Sequence, residues 1–254
     1  MDGYEASTYG DRFADVYDDW YGDVSDAEGC AAKVAALVAD AGGGPVLELG
    51  IGSGRLALPL VERGLEVHGI DASEAMVAAL RAKPGAEHIR VAVGDMAVLE
   101  LPEPPPFAVV LVAFNTFFNL PTAAEQGRCL ERVANLLAPE GHLLIEAFVP
   151  DAAGGIGIDG AVTPRRIATD EVVLSVSQRD RAAQTISGQH VHVTEAGIRL
   201  RPWHLRYATP DQLDALAAAA GLELAWRAAG WAGEPFTDDS AAHVSAYRRG
   251  RFRA

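Results

Sequence analysis

The sequence predicts an α/β protein built on a doubly wound, mostly parallel sheet, with an antiparallel β insertion near the cleft. Three observations carry this. Short apolar runs alternate with helical patterns between residues 45 and 148. Strands buried on both faces of a parallel sheet read as such runs, and the intervening helices cover those faces. After Pro150 the pattern changes to strand-like runs separated by short turns, which reads as an antiparallel meander.

The elements follow in order. Residues 1–26 are aromatic and acidic, and Phe13, Val16, Tyr17 and Trp20 fall at the spacing of a short amphipathic helix. Residues 27–40 form a second helix, ended by Gly42-Gly43-Gly44-Pro45. Strands are predicted over 45–49, 66–70, 89–93, 107–113 and 142–148, and helices over 55–63, 73–83 and 122–137. Ser73 and Thr122 are the N-caps of the last two helices, and Pro139-Glu140-Gly141 is a turn. Gly154-Gly155-Ile156-Gly157 reads as a link into strand-like runs at 171–177, 183–194 and 198–208. Thr209-Pro210 caps a helix over 211–220, and strands at 222–227 and 243–248 close the main sheet, which then has seven strands. The chain thus divides into a lid segment (1–26), a ligand-binding core (27–150), the insertion (151–208) and closing elements (209–254).

Composition narrows the function. Hydrophobic residues make up 49% and charged residues 22%, which excludes whole-chain disorder. Lys and Arg total 21 against 35 Asp and Glu, a net charge of −14 that repels phosphate backbones and anionic lipid. The basic cluster Arg248, Arg249, Arg251 and Arg253 reads as a solvated tail. The longest apolar run, 107–114, is too short to span a bilayer. Cys30 and Cys129 have no metal or disulfide spacing, and residues 1–5 do not read as a signal peptide, so a reduced, cytoplasmic protein is expected.

The segment Glu48-Leu49-Gly50-Ile51-Gly52-Ser53-Gly54-Arg55 joins the first strand to its helix. Glycines there allow a tight turn and close approach of a ligand, and the following helix offers free N–H groups. No Gly-Lys-Ser/Thr follows, which excludes a P-loop, and the nicotinamide pattern would need glycine where Arg55 stands. The spacing, with its acid two residues before the first glycine, resembles motif I of the class I S-adenosylmethionine-dependent methyltransferases. Asp71 ends the second strand, Gly94-Asp95-Met96 the third, and Phe114-Asn115-Thr116-Phe117-Phe118-Asn119 the fourth, at further positions matching that family.

The resemblance implies a Rossmann-like core that binds S-adenosylmethionine and releases S-adenosylhomocysteine. It implies cofactor contacts from Glu48, Gly50, Ile51, Gly52 and Gly54, and from Asp71 on the ribose hydroxyls with Ala72 and Met76 beside it. Asp95 would take the adenine amino group, and Met96 either packs on the ring or fills the core. Phe114 and Asn115 would face the methionine moiety. Arg55 either pairs with the methionine carboxylate or is a surface residue of the first helical turn.

Methyl transfer is an in-line displacement that needs alignment and exclusion of water more than a fixed catalytic constellation. Tyr17 and Tyr21, four apart on one helical face, are candidates to lie over the methyl group as part of a lid. His190 and His192 share a strand face, and with His204 on the next strand they are candidate bases. His-x-His alone does not make a metal site, and none is expected. The Asn/Asp-Pro-Pro-Tyr/Phe signature of adenine and glutamine methylation is absent after the fourth strand, and the cleft segments hold no cysteine nucleophile. The layout is similar to that of small-molecule N- and O-methyltransferases, which implies a small, neutral or cationic acceptor and allows a homodimer. A nicotinamide oxidoreductase and a non-catalytic cofactor-binding protein are the alternatives.

Overall fold

The computed structural model describes residues 1–22, 24, 26–150 and 160–250. The predicted Gly154–Gly157 link and Arg251 and Arg253 lie outside them. The main sheet contains β1 (Val46–Leu49), β2 (Val67–Asp71), β3 (Ile89–Val93), β4 (Phe107–Val112), β5 (Leu137–Phe148), β10 (Leu222–Ala228) and β11 (Ala242–Arg249). Their order is β10-β11-β5-β4-β1-β2-β3. Pairs among β1 to β5 are parallel, and β11 runs antiparallel to both β5 and β10. The order reverses beside β1, which opens a crevice above the carboxyl ends of the central strands.

Helices cover both faces. One apolar layer lies under α6 (Ala123–Leu136) and α7 (Pro210–Ala219), with Phe107, Phe117, Phe118 and Leu130 fully buried. The other lies under α3 (Ala27–Asp40) and α4 (Ala57–Glu62). Side chains cap the helices as their sequences require: Ser73 accepts from the Met76 N–H at the start of α5 (Glu74–Arg81), Thr122 caps α6, and Thr209 with Gln212 forms a capping box on α7.

Four sequence expectations change. The predicted N-terminal helix is two, α1 (Thr8–Phe13) and α2 (Tyr17–Tyr21), because the chain bends between them to fold around the Phe13 ring. The turn at Pro139–Gly141 is a bulge inside β5. Leu137 pairs with Phe107 and His142 with Val109, and Gly141 sits so close to the Phe107 carbonyl that a Cβ would lie 2.6 Å from it. The insertion has four strands, β6 (Gly160–Ile167), β7 (Glu171–Asp180), β8 (Thr185–Thr194) and β9 (Gly197–Arg206), in a simple antiparallel meander. β6 escapes the sequence reading because Pro164 argues against a central strand; here it lies on a sheet edge. Arg248 and Arg249 are not a tail but the end of β11. There Arg248 pairs with Glu223, and Arg249 donates to the Ala134 and Asn135 carbonyls.

Candidate active site

The turn from β1 to α4 is shaped for a close-lying ligand. Gly50, Gly52 and Gly54 all have positive φ (68°, 55° and 84°), and a Cβ on Gly50 would meet Thr116 Cγ2 at 2.3 Å. The Gly50 and Ile51 N–H groups both donate to the Ile70 carbonyl, which ties this turn to β2. Ile51 and Gly54 face inward: Ile51 packs under Gly69, and Gly54 admits Leu80.

Above this turn lies a cavity of about 400 Å³. Its floor includes Gly50, Gly52, Asp71, Ala72, Asp95 and Met96, with Met76 at one wall. Asp71 Oδ2 accepts from the Gly52 N–H (2.8 Å) and Oδ1 from the Ser73 N–H (2.9 Å), so each oxygen keeps further acceptor capacity for a ligand. Burial raises the Asp71 pKa. Asp95 likewise braces its own turn, accepting from the Ala97 N–H. Met96 both lines the cavity and packs on the core, so the two readings of it are compatible.

Glu48, Arg55, Phe114 and Asn115 do not themselves line the cavity, although Gly50, Tyr17 and Thr116 next to them do. Glu48 is 5% exposed and its Oε2 has no partner among the described residues. Burial pushes its pKa to about 8, Asp71 adds to the rise, and Arg55 opposes it. The Arg55 guanidinium lies 5.1 Å from the Phe114 ring centre and bonds Tyr17. Phe114 and Asn115 are both left-handed, with φ of 51° and 65°, a costly pair for residues with a Cβ. Three bonds hold them there: the Phe114 N–H donates to Glu146 Oε2 (2.8 Å), the Asn115 N–H donates to the Glu146 carbonyl (3.0 Å), and Asn115 Oδ1 accepts from the Phe148 N–H (2.7 Å). Trp231 donates to the other Glu146 oxygen. Glu146 was not singled out in the sequence. Its signal was a lone carboxylate in the apolar run Leu143–Phe148.

The N-terminal segment roofs the cavity with Tyr4, Tyr9, Gly10 and Tyr17. Gly10 lets α1 lie against α5, since a Cβ there would reach Ser73 Cβ at 2.4 Å. Asp11 accepts from the Ser73 hydroxyl, and Asp18 from Ser53 and from Lys83 (2.7 Å). On the other side Asp15 binds Arg201 and Arg199 of β9, and Arg201 also donates to the Arg12 carbonyl. The bond from Arg201 lowers the Asp15 pKa.

The remaining lid candidate and the candidate bases separate. Tyr21 does not line the cavity; its hydroxyl lies 3.3 Å from His190 Nε2, and its ring edges against Phe114. His190 is buried, and burial, then Arg165 and Arg201, lower its pKa to about 4. His192 instead bonds Glu171 (2.7 Å) beside Trp20, away from the cavity. His204 lines the far end of the cavity near Tyr4 and bonds Ser187.

A methyltransferase domain model matches residues 46–141, the span from β1 through the bulge of β5. The CcbJ methyltransferase of Streptomyces caelestis is 40% identical with a TM-score of 0.88, over 98% of this chain and 100% of that one. The chain belongs to the class I S-adenosylmethionine-dependent methyltransferases. The methyltransferase is also similar to CalS10, described as an amino pentose methyltransferase from Micromonospora echinaspora and solved with S-adenosylmethionine bound. The identity there is 27% and the TM-score 0.69, covering 92% of this chain and 96% of that one. A curated relative, the cypemycin N-terminal methyltransferase of a Streptomyces species, is 28% identical over 197 residues. That covers 77% of this chain and 79% of the relative.

The residues present fit S-adenosylmethionine as cofactor. The unpartnered Glu48 oxygen suits a ligand that is cationic at sulfur and at its amino group, and the left-handed glycine turn leaves room for its backbone approach. No helix among the described residues is long and apolar enough to cross a membrane.

Proposed function

We propose that the methyltransferase moves a methyl group from S-adenosylmethionine to a nitrogen or oxygen of a small molecule, by in-line displacement beneath the N-terminal roof. The observation that carries this is the cavity of about 400 Å³, with cofactor-type residues along its floor and Tyr9 and Tyr17 above them. A net charge of −14 opposes a nucleic-acid strand as the acceptor. The amino pentose and N-terminal activities named for the relatives agree with an amine or hydroxyl acceptor of modest size. Buried free Cys30 and Cys129 suit a reducing cytoplasm.

When bound, the cofactor supplies an activated methyl group on a cationic sulfur and departs as a neutral thioether. The chain's task is to hold and to align. Gly50, Gly52, Asp71 and Asp95 would seat the nucleoside, Glu48 would pair with the amino group, and Arg55 would stand beside the carboxylate. Tyr9 and Tyr17 exclude water from the reacting centre. Held there, the acceptor's lone pair would displace the thioether from the methyl carbon, and the acceptor would then shed its proton. His190 is not placed to take it: neither it nor Tyr21 lines the cavity, and a pKa lowered to about 4 makes its imidazole a weak base at neutral pH.

Calorimetric titration with S-adenosylmethionine, followed by mass spectrometry of a panel of amino sugars, other amines and phenols, tests the reading. Binding and a gain of one methyl group are expected. An intact fold that binds NADH and ignores S-adenosylhomocysteine would sink it, and cofactor binding without product across the panel would favour a binding protein.

A further inference from the structure

The edge strand β6 carries a bulge. Pro164 pairs with Leu174 and Arg166 with Val173, so Arg165 is the extra residue and two arginines oppose one valine. The bulge re-aims Arg165 toward the N-terminal helices. Its guanidinium lies 4.7 Å from the Tyr21 ring centre, and Nη1 is 3.4 Å from His190 Nε2. Bulges and charges also blunt sheet edges against other chains, but that purpose asks for a charge in solvent and not for an aromatic seat beneath it.

Between β6, β7 and α2 lies a second cavity, of about 130 Å³, lined by Asp19, Trp20, Arg165, Arg166 and Val173. No residue lines both this cavity and the one over the glycine turn. Its charges are only partly matched. Arg166 binds Glu171, which also takes His192. Arg165 and Asp19 have no ion-pair partner among the described residues, and both are exposed. The cavity therefore presents one unmatched cation and one unmatched anion to whatever enters from solvent.

We propose that this second cavity binds a small free α-amino acid as its zwitterion, with the carboxylate on Arg165 and the ammonium group on Asp19. Stacking on Tyr21 uses the flat face of the guanidinium and leaves N–H groups at its edge, where a carboxylate pairs in bidentate fashion. The Asp19 carboxylate can accept from an ammonium group. A plain anion would gain Arg165 but meet repulsion from Asp19, and a plain amine would gain Asp19 but meet two arginines. A molecule with both charges on one carbon avoids either cost. Trp20 and the buried Val173 offer an apolar wall to a short side chain. A volume about a third of the larger cavity's limits the ligand to a handful of heavy atoms.

Saturation-transfer NMR on the full chain, titrated with L-alanine, L-valine, acetate and ethylamine, tests the proposal. At least one of the two amino acids should bind saturably, with a Kd on the order of 1 mM. Acetate and ethylamine should each bind about tenfold more weakly or worse. Arg165→Gln and Asp19→Asn should each weaken amino-acid binding about tenfold, the loss of one hydrogen-bonded charge. Arg165→Lys keeps the charge without the planar fork and should fall between. Circular dichroism confirms that the variants fold. No saturable amino-acid binding, unchanged binding in Arg165→Gln or Asp19→Asn, or acetate binding as tightly as the amino acids overturns the proposal. Calorimetry with S-adenosylmethionine on the same samples reads the proposed activity separately.

Discussion

Glu48→Gln should stabilise the cofactor-free protein and weaken its hold on the cofactor at the same time. The Glu48 carboxyl is 5% exposed and is raised from 4.5 to about 8, chiefly by burial. Between those values it is neutral in the folded chain and ionised in the unfolded one. The folded state therefore binds more protons, and stability falls as pH rises from about 4.5, levelling off above about 8. From pH 5 to pH 7.5 the loss amounts to about 3 kcal/mol. Glutamine has nearly the same shape and cannot ionise, so the variant should lack this slope. Relative to wild type it should gain about 3 kcal/mol between the two pH values. The same change removes the acid that would meet the cofactor's amino group, so affinity should fall. Urea unfolding of the cofactor-free proteins at both pH values, with calorimetry for binding, measures the two effects. Comparing variant with wild type at each pH cancels the histidine contributions. Equal slopes in the two proteins would refute the burial argument.

Gly50→Ala should abolish cofactor binding and lower the melting temperature, because it combines a positive φ with a contact at 2.3 Å to Thr116; calorimetry and thermal unfolding check both. Asp71→Ala should weaken S-adenosylmethionine binding by about 1.5–3 kcal/mol, the worth of hydrogen bonds to a charged group. Unchanged affinity would place the ribose elsewhere. His190 is neutral in the folded chain down to about pH 4, whereas in the unfolded chain it protonates below about 6.5, so its contribution to stability is lost as pH falls through that window. His190→Gln should be less acid-labile than wild type by about 2–3 kcal/mol between pH 7 and pH 4.5, read by urea unfolding.

The parallel core was legible because its signals are local. Apolar runs, the Ser73 and Thr122 caps and the three alternating glycines each act over a few residues, and the predicted core strands fall within a residue or two of those observed, β5 excepted. Pro139–Gly141 misled because a bulge uses turn-forming residues while the strand continues, a distinction set by the pairing with Phe107. The site was legible wherever one chain segment makes it: Gly50, Gly52, Asp71, Ala72, Met76, Asp95 and Met96 all border the cavity. It was not legible where distant segments meet. Tyr9 gains its place from the packing of Gly10 on Ser73, and Tyr21 finds His190 across 169 residues of sequence. His190 and His192 share a strand face, yet one meets Tyr21 and the other Glu171, a difference that spacing does not encode.

The bonds around Glu146 separate what is recognisable in the sequence from what is self-sufficient in space. The matched methyltransferase segment stops at residue 141. The left-handed bend at Phe114 inside that segment is held by a carboxylate five residues beyond it, and that carboxylate is held in turn by Trp231. The closing strands therefore act as a remote brace for the mouth of the crevice. A chain cut after the matched segment would keep every glycine of the motif and lose the geometry that makes them useful. Exchanges of the C-terminal part between related chains would have to carry Trp231, or another donor to Glu146, along with the strands.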